Sequence, residues 1–569
     1  MYKSQLLFLT ASLSAVMASA VTGCGGDDAA GVPPPGTSTP DANVPQPPAP
    51  PAPPAEAGAD AGPPNAVVSN VTAYLGRAIA LDGSGSTGPE GFTYAWTVES
   101  VPDGSAVTTA SLVGADTATP SFVPDVPGAY VVKLTVTANG VSASAEASVT
   151  IVDPPIFYFH TNDEADAGAE ASLNVVGAGV GTGGTAVACF ERDAGKFADD
   201  AEVVAQMGAD WWEAPAGQPS RAVFIAERPT NDGFEGILVA TTSDATCATP
   251  PTALDAYPGR LNTTRAIQQP RFSPNGNRVA YIRTGTGTTG SRIATVGFDG
   301  SDKREVAIWG VDADGGPAPN AKPTLFGSRP TWVNDTTIAW VQQLTSDRWQ
   351  LVSAPDQENA PISVVMTCTG SEPTQVELLP NGDVIINQLL PVNGGQAYDI
   401  LTYSVDGTTK ECINPRSIGK IETVDAVARD FSLSPDKTHV AFISNGSDGG
   451  SDMQLYVAPV DGSTPPVPVA SSVGGAYRGP RWVGEGAFLT WGAASAAFED
   501  AAAGNAVAVI AVDGGTARRA AAAGAPGTQV QAIGNGYWTC SFGPVVGSSA
   551  TLAGLAGLFV LRTLRRRRR

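Results

Sequence analysis

The stretch Pro270-Arg271-Phe272-Ser273-Pro274-Asn275-Gly276-Asn277-Arg278-Val279-Ala280-Tyr281-Ile282 returns later in the chain as Phe431-Ser432-Leu433-Ser434-Pro435-Asp436-Lys437-Thr438-His439-Val440-Ala441-Phe442-Ile443. Each copy is a strand, a tight turn and a second strand rich in apolar residues. Pro-Asn-Gly supplies the positive φ that a short hairpin needs. A further strand ending in Asp-Gly follows each copy, at Phe298-Asp299-Gly300 and Val460-Asp461-Gly462. Weaker copies begin at Pro330-Thr331-Trp332, near Leu378-Leu379-Pro380-Asn381-Gly382, and at Pro480-Arg481-Trp482, and two more Asp-Gly turns stand at Asp406-Gly407 and Asp513-Gly514. The apolar strand after each turn begins at Val223, Val279, Ile338, Val384, Val440 and Phe488, so the successive spacings are 56, 59, 46, 56 and 48 residues. A four-stranded antiparallel unit with hairpin turns takes roughly 40–50 residues, so these are repeats of one such unit with loop insertions. Almost no amphipathic helical pattern interrupts them. Adding a unit that starts at Ile156-Phe157-Tyr158-Phe159 makes seven blades of a β-propeller, with six or eight as alternatives. Residues 528–538 are then expected to return and pair with the first blade, because ring closure removes the sheet edges.

These turn-and-strand units resemble the WD-repeat-like propeller units of the TolB family. That family's own N-terminal domain has no counterpart here, which weakens any transfer of its role. Residues 66–153 instead alternate as short strands and read as an Ig-like β-sandwich of about 88 residues. Leu81-Asp82-Gly83-Ser84-Gly85-Ser86, Tyr94-Ala95-Trp96 and Pro127-Gly128-Ala129-Tyr130 resemble the polycystic-kidney-disease (PKD) repeat family. The resemblance implies that Trp96 fills the sandwich core and that Tyr130 makes a corner hydrogen bond. It also implies a spacer or adhesion unit.

Both ends of the chain read as addresses. Lys3 and the apolar run 6–20 suit a secretory signal peptide. Val21-Thr22-Gly23-Cys24 resembles the lipobox of bacterial lipoproteins, which implies cleavage after residue 23 and lipidation of Cys24; the alternative is an ordinary signal peptide with an incidental cysteine. Residues 24–65 form a proline-rich stalk, with 13 prolines between residues 31 and 64. As polyproline II, at about 3.1 Å per residue, it reaches on the order of 100 Å. At the other end, residues 540–569 hold Cys540, an uncharged stretch of 17 residues at 545–561, and six arginines. That order resembles myxobacterial C-terminal sorting signals processed near the cysteine; a plain tail anchor is the alternative. The expected organisation is therefore signal peptide 1–23, stalk 24–65, sandwich 66–153, propeller 154–539 and sorting or transmembrane tail 540–569.

Composition narrows the function. The 569 residues carry 33 Lys+Arg against 55 Asp+Glu, a net charge of −22, and setting aside Lys3 and the six C-terminal arginines leaves 26 against 55, or −29. Such a surface repels nucleic acid. Only two histidines are present, His160 and His439, too few for a three-His zinc site and little for a Ser-His-Asp triad. Cys189, Cys247, Cys368 and Cys412 are expected to form two disulfides in an oxidising compartment. Three pairings are open, and sequence proximity favours Cys189–Cys247 and Cys368–Cys412. Because blades splay apart outward, these bonds are expected to need loops that reach across. Asp312-Ala313-Asp314-Gly315-Gly316 lacks the full ligand set of a calcium loop, and Asp163, Glu164 and Asp166 read as solvated acids. Trp211, Trp212, Trp332, Trp340, Trp482 and Trp491 are expected to be wedges between blades. No catalytic, cofactor or metal residue stands out, and no cofactor is expected. The expectation is a monomeric, non-catalytic, lipid-anchored protein of the outer membrane or cell surface whose propeller binds an envelope protein or polysaccharide. The alternative is a secreted polysaccharide lyase or glycosidase with a carboxylate pair at the propeller mouth.

Overall fold

The computed structural model describes residues 62–162, 171–177, 187–190, 202–203, 208–230, 233–243, 251–258, 267–283, 292–308, 322–323, 329–345, 347–392, 395–419, 426–446, 453–469, 476–493, 506–512, 518–522 and 528–532. All of them belong to one compact unit, Asp60–Arg569. Cys24, Cys247, Cys540, the sorting tail and the acidic loops at 163–166 and 312–314 lie outside the described residues, as does the side chain of Cys189.

The fold is all-β, an Ig-like sandwich followed by a propeller. In the sandwich, Val71–Tyr74, Val141–Val152, Gly128–Ala138 and Thr93–Ser100 form one sheet in that order, and Ile79–Ala80 pairs with Ser121–Phe122 in the other. Alternate residues of Gly128–Ala138 point inward, so Tyr130, Val132, Leu134, Val136 and Ala138 are all buried. Trp96 is buried among them and its indole donates to the Thr117 carbonyl at 3.0 Å. The Tyr130 hydroxyl donates to the Val126 carbonyl at 2.9 Å, the corner bond expected of it. Gly83 is required by close approach: a Cβ there would sit 2.8 Å from both Trp96 and Leu134. The first strand, Val71–Tyr74, pairs in parallel with Val149–Val152 and was not foreseen from the sequence.

Among the described residues the propeller shows seven blades. Blade 1 is built from Pro155–Asn162, Ala171–Gly177 and Val187–Phe190, completed by Thr528–Ala532 from the far end of the repeats. That last strand runs antiparallel to Pro155–Asn162, with Val530 opposite His160, so the ring closes as the sequence predicts. Blades 2 and 3 have as their long strands Arg221–Thr230 with Gly233–Thr242, and Arg278–Arg283 with Arg292–Gly297. Blades 4 and 5 follow with Thr337–Thr345 and Arg348–Pro355, then Val384–Val392 and Gly395–Val405. Blades 6 and 7 are centred on His439–Ser444 with Gln454–Pro459, and Phe488–Ala493 with Ala506–Ala511. Inside each of these pairs lies a short innermost strand: Ala209–Trp212, Ile267–Phe272, Thr331–Asn334, Gln375–Leu378, Ala428–Leu433 and Ala476–Val483 for blades 2 to 7.

Apolar clusters fill the wedges between neighbouring blades. Val223, Leu238 and Ile267 join Phe272 and Tyr281 between blades 2 and 3, and Trp332, Ile338 and Trp340 meet Ala280 and Ile293 between blades 3 and 4. The blade 7, 1 and 2 wedges run on into the sandwich core, where Leu75 shares a cluster with Phe157, Trp211, Val483 and Phe488. The Tyr74 hydroxyl seals this junction by donating to the Ala214 carbonyl at 2.8 Å. Gly276, at φ 67°, forms the blade 3 turn flat against Trp212, whose ring a Cβ would meet at 2.2 Å. The Trp212 indole donates to the Pro274 carbonyl of the same turn at 2.8 Å.

Cys368 and Cys412 are joined in a disulfide with their Cα atoms 5.1 Å apart. Cys368 lies in the outermost strand of blade 4, Ser363–Thr369, and Cys412 opens that of blade 5, Cys412–Ser417. The expectation that a loop must reach between them is corrected. The strand edges themselves meet, the Thr367 amide donating to the Lys410 carbonyl at 2.7 Å beside a parallel bridge to Glu411.

Candidate functional site at the propeller axis

The innermost strands share a pattern in which a polar residue precedes an aromatic one: Asp210-Trp211, Arg271-Phe272, Thr331-Trp332, Asp430-Phe431 and Arg481-Trp482. All five aromatic side chains are buried. Successive side chains of a strand point to opposite faces, so burying the aromatic in one wedge puts its predecessor on the other face of the innermost strand. Register shifts between Gln268 and Arg271, between Arg429 and Ser432, and between Arg478 and Arg481 mark bulges at this point of three blades. Gln269 and Asp430 take positive φ there, 54° and 55°. Bulges of this kind re-aim side chains.

The strands are tied around the ring by their own polar atoms. Trp332 donates its indole N–H to the Arg271 carbonyl at 3.1 Å, and Trp482 donates to the Ser432 carbonyl at 2.9 Å. Gln375 of blade 5 pairs with Phe431 of blade 6 in both directions, its amide donating to the carbonyl at 2.6 Å and its oxygen accepting the N–H at 3.1 Å.

Inside this ring sits an ionic cluster drawn from five blades. Asp210 of blade 2 accepts from the Phe272 amide at 2.9 Å and from Nη1 of Arg481, on blade 7, at 2.9 Å. Arg481 also bonds the Trp211 carbonyl and lies over the Trp211 ring, 4.5 Å from its centroid. Arg271 of blade 3 pairs with Glu377 of blade 5 at 2.5 Å, and Thr331 of blade 4 donates to the same carboxylate at 3.1 Å. Arg329, just ahead of the blade 4 strand, reaches back to the Ala209 carbonyl at 3.3 Å and stands 4.0 Å from Asp210. The side chains of Asp210 and Arg329 are only 4% and 6% exposed, whereas Glu377, Arg481 and Arg271 retain 12%, 13% and 15%. The first two form a floor and the other three open on solvent.

Burial and charge pull against each other here. Desolvation opposes ionisation of Asp210, but Arg481, Arg271, Arg329 and the Phe272 amide outweigh it and hold the carboxyl below its ordinary range. Arg329 is pulled down to about 10, first by desolvation and then by Arg271 and Arg481, with Asp210 and Glu377 opposing. Beside the cluster, burial pushes Glu213 up to about 7, although it accepts from the Gly484 amide at 2.7 Å and feels Arg481. The arrangement suits electrostatic recognition of a negatively charged group by guanidinium donors in a half-dry setting.

The sequence-predicted residues lie elsewhere. His439 opens the second strand of blade 6, is exposed, and has its Nδ1 2.8 Å from the Thr438 hydroxyl. His160 belongs to the second strand of blade 1, one strand out from the axis, and its side chain lies outside the described residues. Trp211, Trp332, Trp340, Trp482 and Trp491 are buried wedges as expected, while Trp212 is half-buried and carries Arg221 over its ring at 5.2 Å. Among the described residues no His, Cys, Asp and Glu side chains group to hold a metal ion. The axial arginines were missed as a site, although Pro270-Arg271-Phe272 and Pro480-Arg481-Trp482 were in view as repeat starts.

No family model matches the chain, and no curated protein matches it. Solved structures similar to it include a β-propeller domain. One, from a study of two prolyl endopeptidases, is 11% identical over 72% of this chain and 49% of that one, with a TM-score of 0.41. The propeller domain of the Trilobed protease from Pyrococcus furiosus is 11% identical over 55% of this chain and 83% of its own, at 0.34. Puromycin hydrolase is 17% identical over 65% and 53%, at 0.38. This chain thus spans about half the length of the prolyl endopeptidase. The expectation of a non-catalytic chain is corrected by these neighbours, several of which are peptidases or hydrolases: a propeller poor in histidine is no ground for excluding catalysis. At this distance the likeness lends none of their activities to the present chain.

Proposed function

We propose that this chain is a lipid-anchored envelope protein whose propeller is a binding or scaffold module, engaging an envelope protein or polysaccharide at the axial mouth. The observation that carries the reading is the convergence of Arg271, Arg329 and Arg481 on the axis of a chain with 55 acidic and 33 basic side chains. Scarce cations gathered from three separate blades at a point of partial solvent access make a recognition site for negative charge. Seven wedged blades supply the rigid scaffold that fixes their spacing. Val21-Thr22-Gly23-Cys24 and the proline-rich stalk support the anchor, holding the folded part away from a membrane.

The test is retention of envelope material on the immobilised chain, compared with a variant carrying Arg271→Ala and Arg481→Ala and with a rim variant, Arg348→Ala. Retention by the wild type and rim variant alone is expected. Equal retention by all three refutes the axial reading.

A further inference from the structure

We propose that the sandwich strand Val71–Tyr74 and the turn after it, Leu75 to Arg77, form a strap that holds the propeller ring shut at blade 1. This strap is independent of what the axial mouth binds.

Blade 1 is where the ring has its seam. In each of blades 2 to 7 the innermost strand continues through a turn into the second strand, whereas blade 1 takes its innermost strand, Thr528–Ala532, from the far end of the repeats. That strand is tied to Pro155–Asn162 by a ladder alone, running from Thr528 with Asn162 to Ala532 with Tyr158. A short strand held only by its ladder opens at low cost unless something else ties it down.

The apolar wedges locate that tie. Blades 2 and 3, 3 and 4, 4 and 5, 5 and 6, and 6 and 7 each share a wedge cluster of their own among the described residues. The wedges on either side of blade 1 do not stand alone. Phe157 of blade 1, Trp211 of blade 2 and Val483 and Phe488 of blade 7 form one cluster with Leu75 and Trp96 of the sandwich. Leu75 is 2% exposed, and Phe157 and Trp211 meet edge-on at 5.3 Å. Burying the strap and closing the seam thus remove the same apolar surface from water.

The strap touches the blades on both sides of the seam. Toward blade 2, the Tyr74 hydroxyl donates to the Ala214 carbonyl at 2.8 Å, and Thr72 lies so near Gly217 that a Cβ there would meet it at 3.0 Å. Toward blade 7, Gly76 takes φ 89° and packs on Ala487 and Phe488, which a Cβ would meet at 3.0 and 3.2 Å. Arg77 stands 3.8 Å from Glu485 in the same blade 7 turn, an exposed pair that adds little. Glu213, ahead of Ala214, joins blades 2 and 7 directly by accepting from the Gly484 and Glu485 amides at 2.7 and 3.3 Å. The parallel ladder from Val71 with Val149 to Tyr74 with Val152 fastens the strap to the strand that leads, through Asp153 and Pro154, into blade 1. One short segment therefore reaches from blade 2 to blade 7 across the start of blade 1.

Amide hydrogen exchange of the full chain, in the regime that reports opening equilibria, tests the strap. Leu75→Ala should speed exchange in Thr528–Ala532 and Pro155–Asn162 by roughly thirtyfold or more, while that of Val384–Val392 in blade 5 holds. Tyr74→Phe keeps the phenyl group and drops one hydrogen bond; it should speed the same two strands by about fivefold, and it keeps the test open should Leu75→Ala fail to fold. Ile338→Ala takes a buried side chain from the wedge between blades 3 and 4 and should leave the seam as it was. Seam exchange unchanged in both strap variants overturns the strap. Seam exchange as fast in Ile338→Ala as in Leu75→Ala also overturns it, because blade 1 is then only the weakest place in the ring. Faster exchange confined to the sandwich strand Gly128–Ala138 overturns it too, and leaves the sandwich a separate unit.

Discussion

Replacing Asp399 with Asn should make the protein more stable, and increasingly so as pH rises. Asp399 is 2% exposed in the third strand of blade 5. It accepts from its neighbour's amide, Ile400, at 2.7 Å, and no ion pair reaches it among the described residues. Burial pushes its carboxyl up from 3.8 to about 6, against the pull of bonds from Ser417, Ile400 and Gly419. A carboxyl raised on folding contributes stability that is fully present below its unfolded value near 4 and is lost as pH climbs through about 6. The difference, at about 1.4 kcal/mol per pKa unit, comes to about 3 kcal/mol in total. Roughly half, about 1.4 kcal/mol, falls between pH 5 and 8, a range clear of the isoelectric point near 4.4. Glu213, raised to about 7, acts with the same sign in that window, so the wild-type curve alone does not isolate Asp399. The variant-minus-wild-type difference does. Urea unfolding followed by tryptophan fluorescence at pH 5, 6, 7 and 8 should show that difference growing by about 1.4 kcal/mol across the series. A flat difference, or one that shrinks with pH, would refute the reasoning.

Further outcomes follow from the same geometry. Removing the Cys368–Cys412 bond by double substitution to Ala frees a loop of 44-residue separation, and should cost about 4 kcal/mol by chain entropy; a loss under about 1 kcal/mol in denaturant unfolding would speak against a staple between blades 4 and 5. Trp96→Ala should cost about 3–5 kcal/mol through the cavity it leaves, and amide exchange across Gly128–Ala138 should speed up while that of blade 6 holds. Asp210→Asn leaves its arginines without their shared acid and should destabilise by about 3–5 kcal/mol. Arg348→Ala, which breaks an exposed pair with Glu411, should cost less than about 1 kcal/mol. Both are read from the same unfolding curves.

What could be read from residues alone was the repeating geometry. Ser-Pro-Asn-Gly, Ser-Pro-Asp and the Asp-Gly pairs are local turn signals, and their spacing carried the seven blades and the returning strand at Thr528–Ala532. Trp96 and Tyr130 were likewise placed by local pattern. The axial cluster was not, because its members meet only after closure. Arg481 and Asp210 are 271 residues apart, Arg329 lies outside any strand, and Glu377 sits in a blade whose repeat is degenerate. The contact of the blade 4 and 5 edges at Thr367 and Lys410 depends on how two outer strands lean, which no turn signal encodes. The parallel strand Val71–Tyr74 is four residues long and half-exposed, so its alternation is too weak to read.

The most direct test of the axial account is an anomalous difference map from crystals of the chain soaked in bromoacetate. The account predicts a bromine peak on the propeller axis, beside the guanidiniums of Arg271 and Arg481 that keep solvent access. A clear channel with bromoacetate bound elsewhere, or nowhere, would contradict it.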